Sequence, residues 1–197
     1  MISFSKRVLI ASAFIFLSGI AIAQGQKIEE GFDYRVLPVP QPVETKGKVE
    51  VIEFFWYGCP HCYDFEPELS AWVKRQPKDV AFRRVPVAFR DDLLPHSQLF
   101  YALEAMGKGD ALNDKVMYAM HKENKRLLTE SEIADWVASQ GIDRNTFLAT
   151  YRSFAVVSKA RAAKQLAEAY RIDGVPTIVM QGKYVKISIS SKASCFQ

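Results

Sequence analysis

One junction in this chain restricts the fold more than any other. Val49 to Trp56 runs Val-Glu-Val-Ile-Glu-Phe-Phe-Trp, Gly58 interrupts it, and Cys59-Pro60-His61-Cys62 follows at once. A run that is β-branched, aromatic and mostly apolar reads as a strand covered on both faces. After Gly58, Phe65, Leu69, Trp72 and Val73 recur at helical spacing, so a helix is expected from about Cys59. Pro67 lies inside it, where a kink is expected. Val80 to Phe89 returns to strand character. Strand, helix and strand make a βαβ unit with a parallel pair, which places the chain in the α/β class.

The remainder adds helices and then a hairpin. Gln24 to Lys48 is a polar, then proline-rich lead-in, with Pro38, Pro40 and Pro42 forbidding a helix. Leu99, Phe100, Leu103 and Met106 form one amphipathic set, closed by Gly107, and Val116, Met117 and Met120 form a second. Thr129 with Glu132 fits a capping box ahead of Ile133, Trp136 and Val137, with Gly141 placed to end that helix. Asp143 is placed to cap a short helix through Phe147 and Leu148. Phe154 to Tyr170 reads as a longer helix burying Val157, Ala160, Leu166 and Tyr170. Asp173-Gly174-Val175-Pro176 marks a turn, Thr177 to Met180 a strand, and Gln181-Gly182 a tight turn into a returning strand.

The N-terminus carries an address. Lys6 and Arg7 precede an apolar run from Val8 to Ile22, and Ala21-Ile22-Ala23 reads as a cleavage site before Gln24. The run is shorter than the roughly 20 residues a spanning helix needs. Residues 1–23 are therefore expected to be a signal peptide, leaving a mature chain of 174 residues, enough to bury a core without disulfide staples. Without Lys6 and Arg7 the 26 basic residues become 24 against 22 acidic, a net charge of +2. No stretch clusters Lys and Arg with interleaved aromatics, so nucleic acid is not an expected partner.

The chemistry sits in the Cys-Pro-His-Cys tetrad. The first turn of a helix carries unpaired N–H groups and the positive end of the dipole, which favour a thiolate at Cys59. Pro60 suits that turn because its missing N–H costs nothing there. Cys62 lies one turn in and faces inward. These placements make Cys59 the exposed sulfur that exchanges with substrate and Cys62 the resolving sulfur. A helix terminus contributes about 0.3–1 kcal/mol, and one pKa unit is about 1.4 kcal/mol, so the dipole alone gives about one unit of depression at most. His61 is the candidate for the rest. A stabilised thiolate favours the reduced form, and a protein whose reduced form is favoured is an oxidant. Competing readings of the pair are a zinc site and a structural staple. Zinc needs four ligands, and Cys195 with scattered His96 and His121 offers no second pair at metal spacing. A disulfide across two intervening residues closes too short a loop to stabilise much. No metal and no cofactor are expected.

Phe54-Phe55-Trp56-Tyr57-Gly58-Cys59-Pro60-His61-Cys62, with Tyr63, Phe65 and Glu66 after it, resembles the DsbA-like family of bacterial periplasmic thiol:disulfide interchange proteins. Ser153-Phe154-Ala155-Val156, Gly174-Val175-Pro176-Thr177 and Gly182-Lys183-Tyr184 are similar to segments of the same family, and the likeness runs from about Phe32 to Tyr184. The resemblance implies a thioredoxin fold, here spanning 24–90 and 154–197, with a helical insertion at 91–153. It implies that Pro176 is cis and placed against the cysteine pair, with Val175 offering backbone to an extended substrate. It implies that Glu53 occupies a buried acidic position below the pair and relays a proton to Cys62; a strand residue facing solvent or a neighbouring cation is the competing reading. The expected role is a monomeric oxidase that gives its Cys59–Cys62 disulfide to reduced exported polypeptides in the periplasm and is reoxidised by a DsbB-like, quinone-linked membrane partner. One departure is expected to matter: after Tyr184 the family continues through a strand into a closing helix, whereas here Ile187 and Ile189 alternate with serines and the chain stops soon after Cys195. A shortened end would expose apolar sheet and lower stability. Two other functions stay open. One is an isomerase or reductase on the same fold; the other is a peptide-binding holdase module whose redox pair is idle.

Overall fold

The computed structural model describes residues 27–186. The expected signal peptide at 1–23, the stretch with Ile187 and Ile189, and Cys195 lie outside the described residues. A five-stranded mixed sheet organises the rest. Its strands are β1 (Tyr34–Val36), β2 (Val49–Phe55), β3 (Val80–Pro86), β4 (Thr177–Met180) and β5 (Tyr184–Lys186), in the spatial order β1-β5-β4-β2-β3. β2 runs parallel to β3 and antiparallel to β4, and every other pairing is antiparallel. The helices are α1 (Pro60–Lys74), α2 (Leu94–Ala105), α3 (Gly109–His121), α4 (Glu130–Ser139), α5 (Arg144–Tyr151) and α6 (Phe154–Ala169), with a 3-10 turn at Asp91–Leu93. Four of them, α2 to α5, fall in sequence between β3 and α6.

The central strand is the apolar run that the sequence marks. From Glu50 to Phe55 every residue of β2 is buried. Successive side chains point to opposite faces. Phe54 meets Tyr170, with ring centroids 5.2 Å apart, while Phe55 on the other face packs edge-on against Phe100 at 5.4 Å and Tyr57 at 5.1 Å. Both α2 and α6 pack against β3, and α1 packs against α3. Burying one such aromatic side chain stabilises by about 1.5–3 kcal/mol, so the two faces of β2 anchor the core on both sides of the sheet.

Local signals set most element ends. Thr129 Oγ1 accepts from the Glu132 N–H at 3.2 Å, and Glu132 Oε2 accepts from the N–H of Thr129 at 3.1 Å, which is the expected capping box. Asp143 caps α5 by accepting from the Thr146 N–H at 2.8 Å. Gly141, at φ 83°, follows the end of α4 in the left-handed conformation. α1 includes Pro67 within its span. One expectation shifts. α6 buries Val156, Ala160, Ala163 and Ala167, while Val157 and Leu166 are half-buried, because small residues let this helix lie close to its neighbours.

The proline-rich lead-in is tied to the β4–β5 turn. Leu37 N–H donates to the Lys183 carbonyl at 2.9 Å, and Gln41 N–H to the Gly182 carbonyl at 2.8 Å. Gly182 has φ 62°, and a Cβ placed there would sit 2.1 Å from the Gln41 carbonyl oxygen. Gly182→Ala should therefore cost about 2 kcal/mol or more. That loss should lower the midpoint of thermal unfolding by about 4 °C or more in a chain of this size. An unchanged midpoint would show that the lead-in is not packed on this turn.

Candidate active site

The register of the sheet brings the site together. Phe54 at the end of β2 pairs with Thr177 at the start of β4, and Phe55 with Pro86 at the end of β3. The segments that leave these strands therefore start close to one another. One is the turn Trp56 to Cys59, closed by the Cys59 N–H donating to the Trp56 carbonyl at 2.9 Å. The other is the loop at Val175-Pro176, whose peptide bond is cis, as the sequence likeness implies. Thr177 Oγ1 donates to the Gly174 carbonyl at 2.7 Å and braces that loop. Val175 O ends 3.4 Å from Cys59 Sγ.

Cys59 is the residue that caps α1. Its backbone is extended, at φ −85° and ψ 117°, Pro60 opens the helix, and the Tyr63 N–H donates to the Cys59 carbonyl at 3.1 Å. The first turn carries no acidic residue, and no side chain caps it. Its N–H groups and its dipole therefore act on the Cys59 sulfur without a competing carboxylate. One expectation is corrected here. Cys59 is not exposed: it has no accessible surface, and neither has Cys62. Cys62 is a buried free thiol in this structure. His61 is half-buried at the second position of α1.

Beneath Cys62 lies a buried charge cluster, of which sequence reasoning found one member. Glu53 and Arg84 are register partners across the parallel pair, so their side chains rise from the same face. Arg84 Nε donates to Glu53 Oε2 at 3.0 Å, and Arg84 Nη2 to Glu66 Oε1 at 2.6 Å. Ser70 Oγ donates to the same Glu66 oxygen at 2.5 Å. Glu53 is wholly buried and Glu66 nearly so. One guanidinium between two buried carboxylates cannot compensate both. Burial pushes Glu53 up to about 8, against the pull of Arg84 and helped by the charge of Glu66. Burial also raises Glu66. Glu53 Oε1 has no hydrogen-bond partner among the described residues, and a carboxyl oxygen so placed is the one that holds a proton at neutral pH. Burial raises the Cys62 thiol too, against a backbone hydrogen bond at Trp56, and Glu53 and Glu66 raise it further once ionised. The signal for Arg84 and Glu66 was present in the sequence only as an isolated strand arginine and an isolated helix glutamate. Their meeting depends on register and helix docking, which periodicity does not encode.

Two histidines that looked scattered also converge on the turn before Cys59. Trp56 Nε1–H donates to His96 Nδ1 at 2.8 Å, which fixes the hydrogen of His96 on Nε2, aimed at the Arg126 carbonyl 2.9 Å away. His96 is buried, and burial lowers its pKa, consistent with this neutral tautomer. His121 Nε2 lies 2.8 Å from the Tyr57 carbonyl and its ring stacks on Tyr63, centroids 4.9 Å apart. A cysteine pair held between a strand end, a helix N-terminus and a cis-proline loop, with a neutral carboxyl under the inner sulfur, is equipped for one chemistry. The molecule is a thiol–disulfide oxidoreductase with the thioredoxin fold.

Comparison with known proteins narrows this class. A profile of the DSBA-like thioredoxin domain matches residues 92–192. The thiol:disulfide interchange protein DsbA of Burkholderia cepacia is 51% identical over 168 residues, which cover 85% of this chain and 79% of that protein. The protein of the same name from Pseudomonas aeruginosa is 46% identical over 176 residues, covering 89% and 82%. The crystal structure of Pseudomonas aeruginosa DsbA superposes with a TM-score of 0.75 at 47% identity, covering 79% of this chain and 81% of that one. Xylella fastidiosa DsbA superposes with 0.77 at 32% identity, covering 82% and 89%. The chain belongs to the DsbA-like thioredoxin family, and neither the holdase nor the reductase and isomerase readings draws support from these relatives.

The raised Glu53 has a consequence for stability. Between about pH 4.5 and 8 the folded chain keeps a proton on Glu53 that the unfolded chain gives up, so stability falls as pH rises through that window. Glu53→Gln removes the titration and keeps a neutral side chain of the same size. At pH 8 the variant should be more stable than the parent by about 1 kcal/mol or more, with little difference at pH 5. Denaturant titrations at both pH values check this, and equal stabilities at pH 8 would show that Glu53 is not held neutral.

Proposed function

We propose that Cys59 is the sulfur exchanged with substrate, Cys62 the resolving sulfur, and Glu53 the group that supplies its proton. In the oxidised protein the two cysteines form the Cys59–Cys62 disulfide. A thiolate of a reduced polypeptide attacks Cys59; a substrate–Cys59 bond forms and the Cys59–Cys62 bond breaks. Cys62 leaves as a thiolate and takes the proton held on Glu53. A second substrate thiolate attacks the substrate sulfur, the substrate disulfide forms, and Cys59 leaves as a thiolate at the helix N-terminus. Two electrons pass from the substrate dithiol to the protein. The asymmetry sets the direction: the leaving Cys59 thiolate is favoured by the first turn of α1, and the high-pKa Cys62 is neutralised rather than left charged. The observation that carries this reading is the placement of Cys59 at an uncapped helix N-terminus against Val175 O, with Cys62 above a neutral Glu53.

Val175, ahead of cis-Pro176, offers backbone beside Cys59, so an extended substrate pairs there by strand addition. His61, between the cysteines, tunes the Cys59 thiolate. The substrates are reduced exported polypeptides, the compartment is the periplasm, and a DsbB-like quinone-linked membrane protein restores the disulfide. The chain acts as a monomer, with the helical stretch 91–153 inserted between the two parts of the thioredoxin fold.

Incubation of the oxidised parent and of Cys62→Ser and Cys59→Ser variants with a reduced, unfolded polypeptide tests the roles. The parent should oxidise it. Cys62→Ser, activated as a mixed disulfide with glutathione at Cys59, should accumulate covalent substrate complexes on a non-reducing gel. Cys59→Ser should do neither. Retention of oxidase activity by Cys59→Ser would overturn the assignment.

A further inference from the structure

We infer that the groove between the Cys59 turn and the loop after α3 receives an acidic segment of the polypeptide being oxidised. The inference rests on the reading of Cys59 as the exchanging sulfur. The groove has a volume of about 400 Å³ and begins at Gly58, one residue from Cys59. Trp56 and Met120 line its apolar part, and Arg90, Lys125 and Arg126 line its rim together with Asp92.

Its walls are fixed. A Cβ on Gly58 would lie 2.4 Å from the Trp56 ring, so the ring covers Gly58 only because that residue has no side chain. The Trp56–His96 bond and the contact of His96 Nε2 with the Arg126 carbonyl tie the catalytic turn to the loop. His121 holds the Tyr57 carbonyl from the end of α3. Inside the loop, Asn124 and Leu127 take positive φ, Lys125 N–H donates to the Ala119 carbonyl at 3.0 Å, and Leu127 is buried. A loop pinned at this many points presents its charges in set places.

Those charges are unbalanced. Arg90 is neutralised by a two-point contact with Asp92 at 3.0 and 2.6 Å. In the loop, Lys122, Lys125 and Arg126 face one carboxylate, Glu123, which Lys125 reaches only at 3.7 Å. Lys122 sits over the Tyr63 ring at 5.3 Å, on α1 two residues past His61. Glu132, at the start of α4, accepts from the N–H groups of Leu128 and Thr129 and offsets part of the Arg126 charge. Among the groups that line the groove itself, Arg90, Lys125 and Arg126 stand against Asp92, a net charge of +2. An apolar floor with a cationic rim suits a substrate cysteine flanked by carboxylates and opposes one flanked by lysines.

Three peptides, each with one reduced cysteine pair flanked by Glu, Ser or Lys, test this against the oxidised protein and a Lys125→Gln/Arg126→Gln double variant. At low salt the Glu peptide should be oxidised about three- to fivefold more efficiently than the Lys peptide, through KM rather than kcat. The preference should fall below twofold at high salt and in the double variant, with the Ser peptide unaffected by the substitutions. Equal rates for all three peptides, or a preference that survives in the double variant, would overturn the inference. If no peptide is oxidised, the Cys59 reading fails instead. The groove is then judged by anisotropy of labelled, cysteine-free peptides, where tighter binding of the Glu peptide supports it and equal affinities for the Glu and Lys peptides overturn it.

Discussion

Everything at this site depends on where β2 hands the chain to α1. β2 lies between β3 and β4 in the sheet, buried from Glu50 onward, so its end cannot move without disturbing both neighbours. The chain leaves it through a three-residue turn closed on Trp56 and enters a helix whose first turn has no side-chain cap. The helix N-terminus is thereby fixed beside the loop that precedes β4. Cys59 takes the electrostatic benefit of the open turn, and Cys62 is carried one turn deeper, over the face of β2 that bears Glu53.

Two opposing electrostatic effects then follow from one geometry. The mouth of α1, with no side-chain cap and the positive end of the helix dipole, favours a charged sulfur at Cys59. The inner sulfur is surrounded by protein and two carboxyl groups, which favour its neutral form. Arg84 reduces the cost of burying Glu53 and Glu66 but cannot compensate both, and the residual cost appears as a proton kept on Glu53. A proton stored next to the inner sulfur is what a leaving Cys62 thiolate needs. The unsatisfied Glu53 oxygen, a defect by the standards of a structural core, is explained on the proposed mechanism as the place where a proton changes hands.

Much of this was legible in the residues. The apolar β2 run, the breaking Gly58, the Pro60 helix start, the Thr129–Glu132 box and the Gln181-Gly182 turn are local patterns with local causes, and the structure has each of them. The cis bond before Pro176 was legible only through likeness to a family, because sequence spacing does not select an isomer. Arg84, Glu66, His96 and His121 were hidden for a different reason. Each is an unremarkable residue in its own element, and its partner is set by strand register or by helix docking across 18 to 64 positions of chain. The exposure expected for Cys59 was wrong because a position at a helix start says nothing about what packs over it, here the Val175-Pro176 loop among its neighbours.

The central claim is that the fold splits the two cysteines into a stabilised thiolate and a neutral thiol. Thiolate absorbance of the reduced protein, followed against pH with Cys195 changed to Ser so that only the pair titrates, measures this directly. The account predicts one thiolate appearing well below the pH near 8.5 of a free cysteine, lost in Cys59→Ser and kept in Cys62→Ser, with Cys62 silent until strongly alkaline pH. Two thiols titrating together at or above 8.5, or a low-pH thiolate that survives Cys59→Ser, would contradict it.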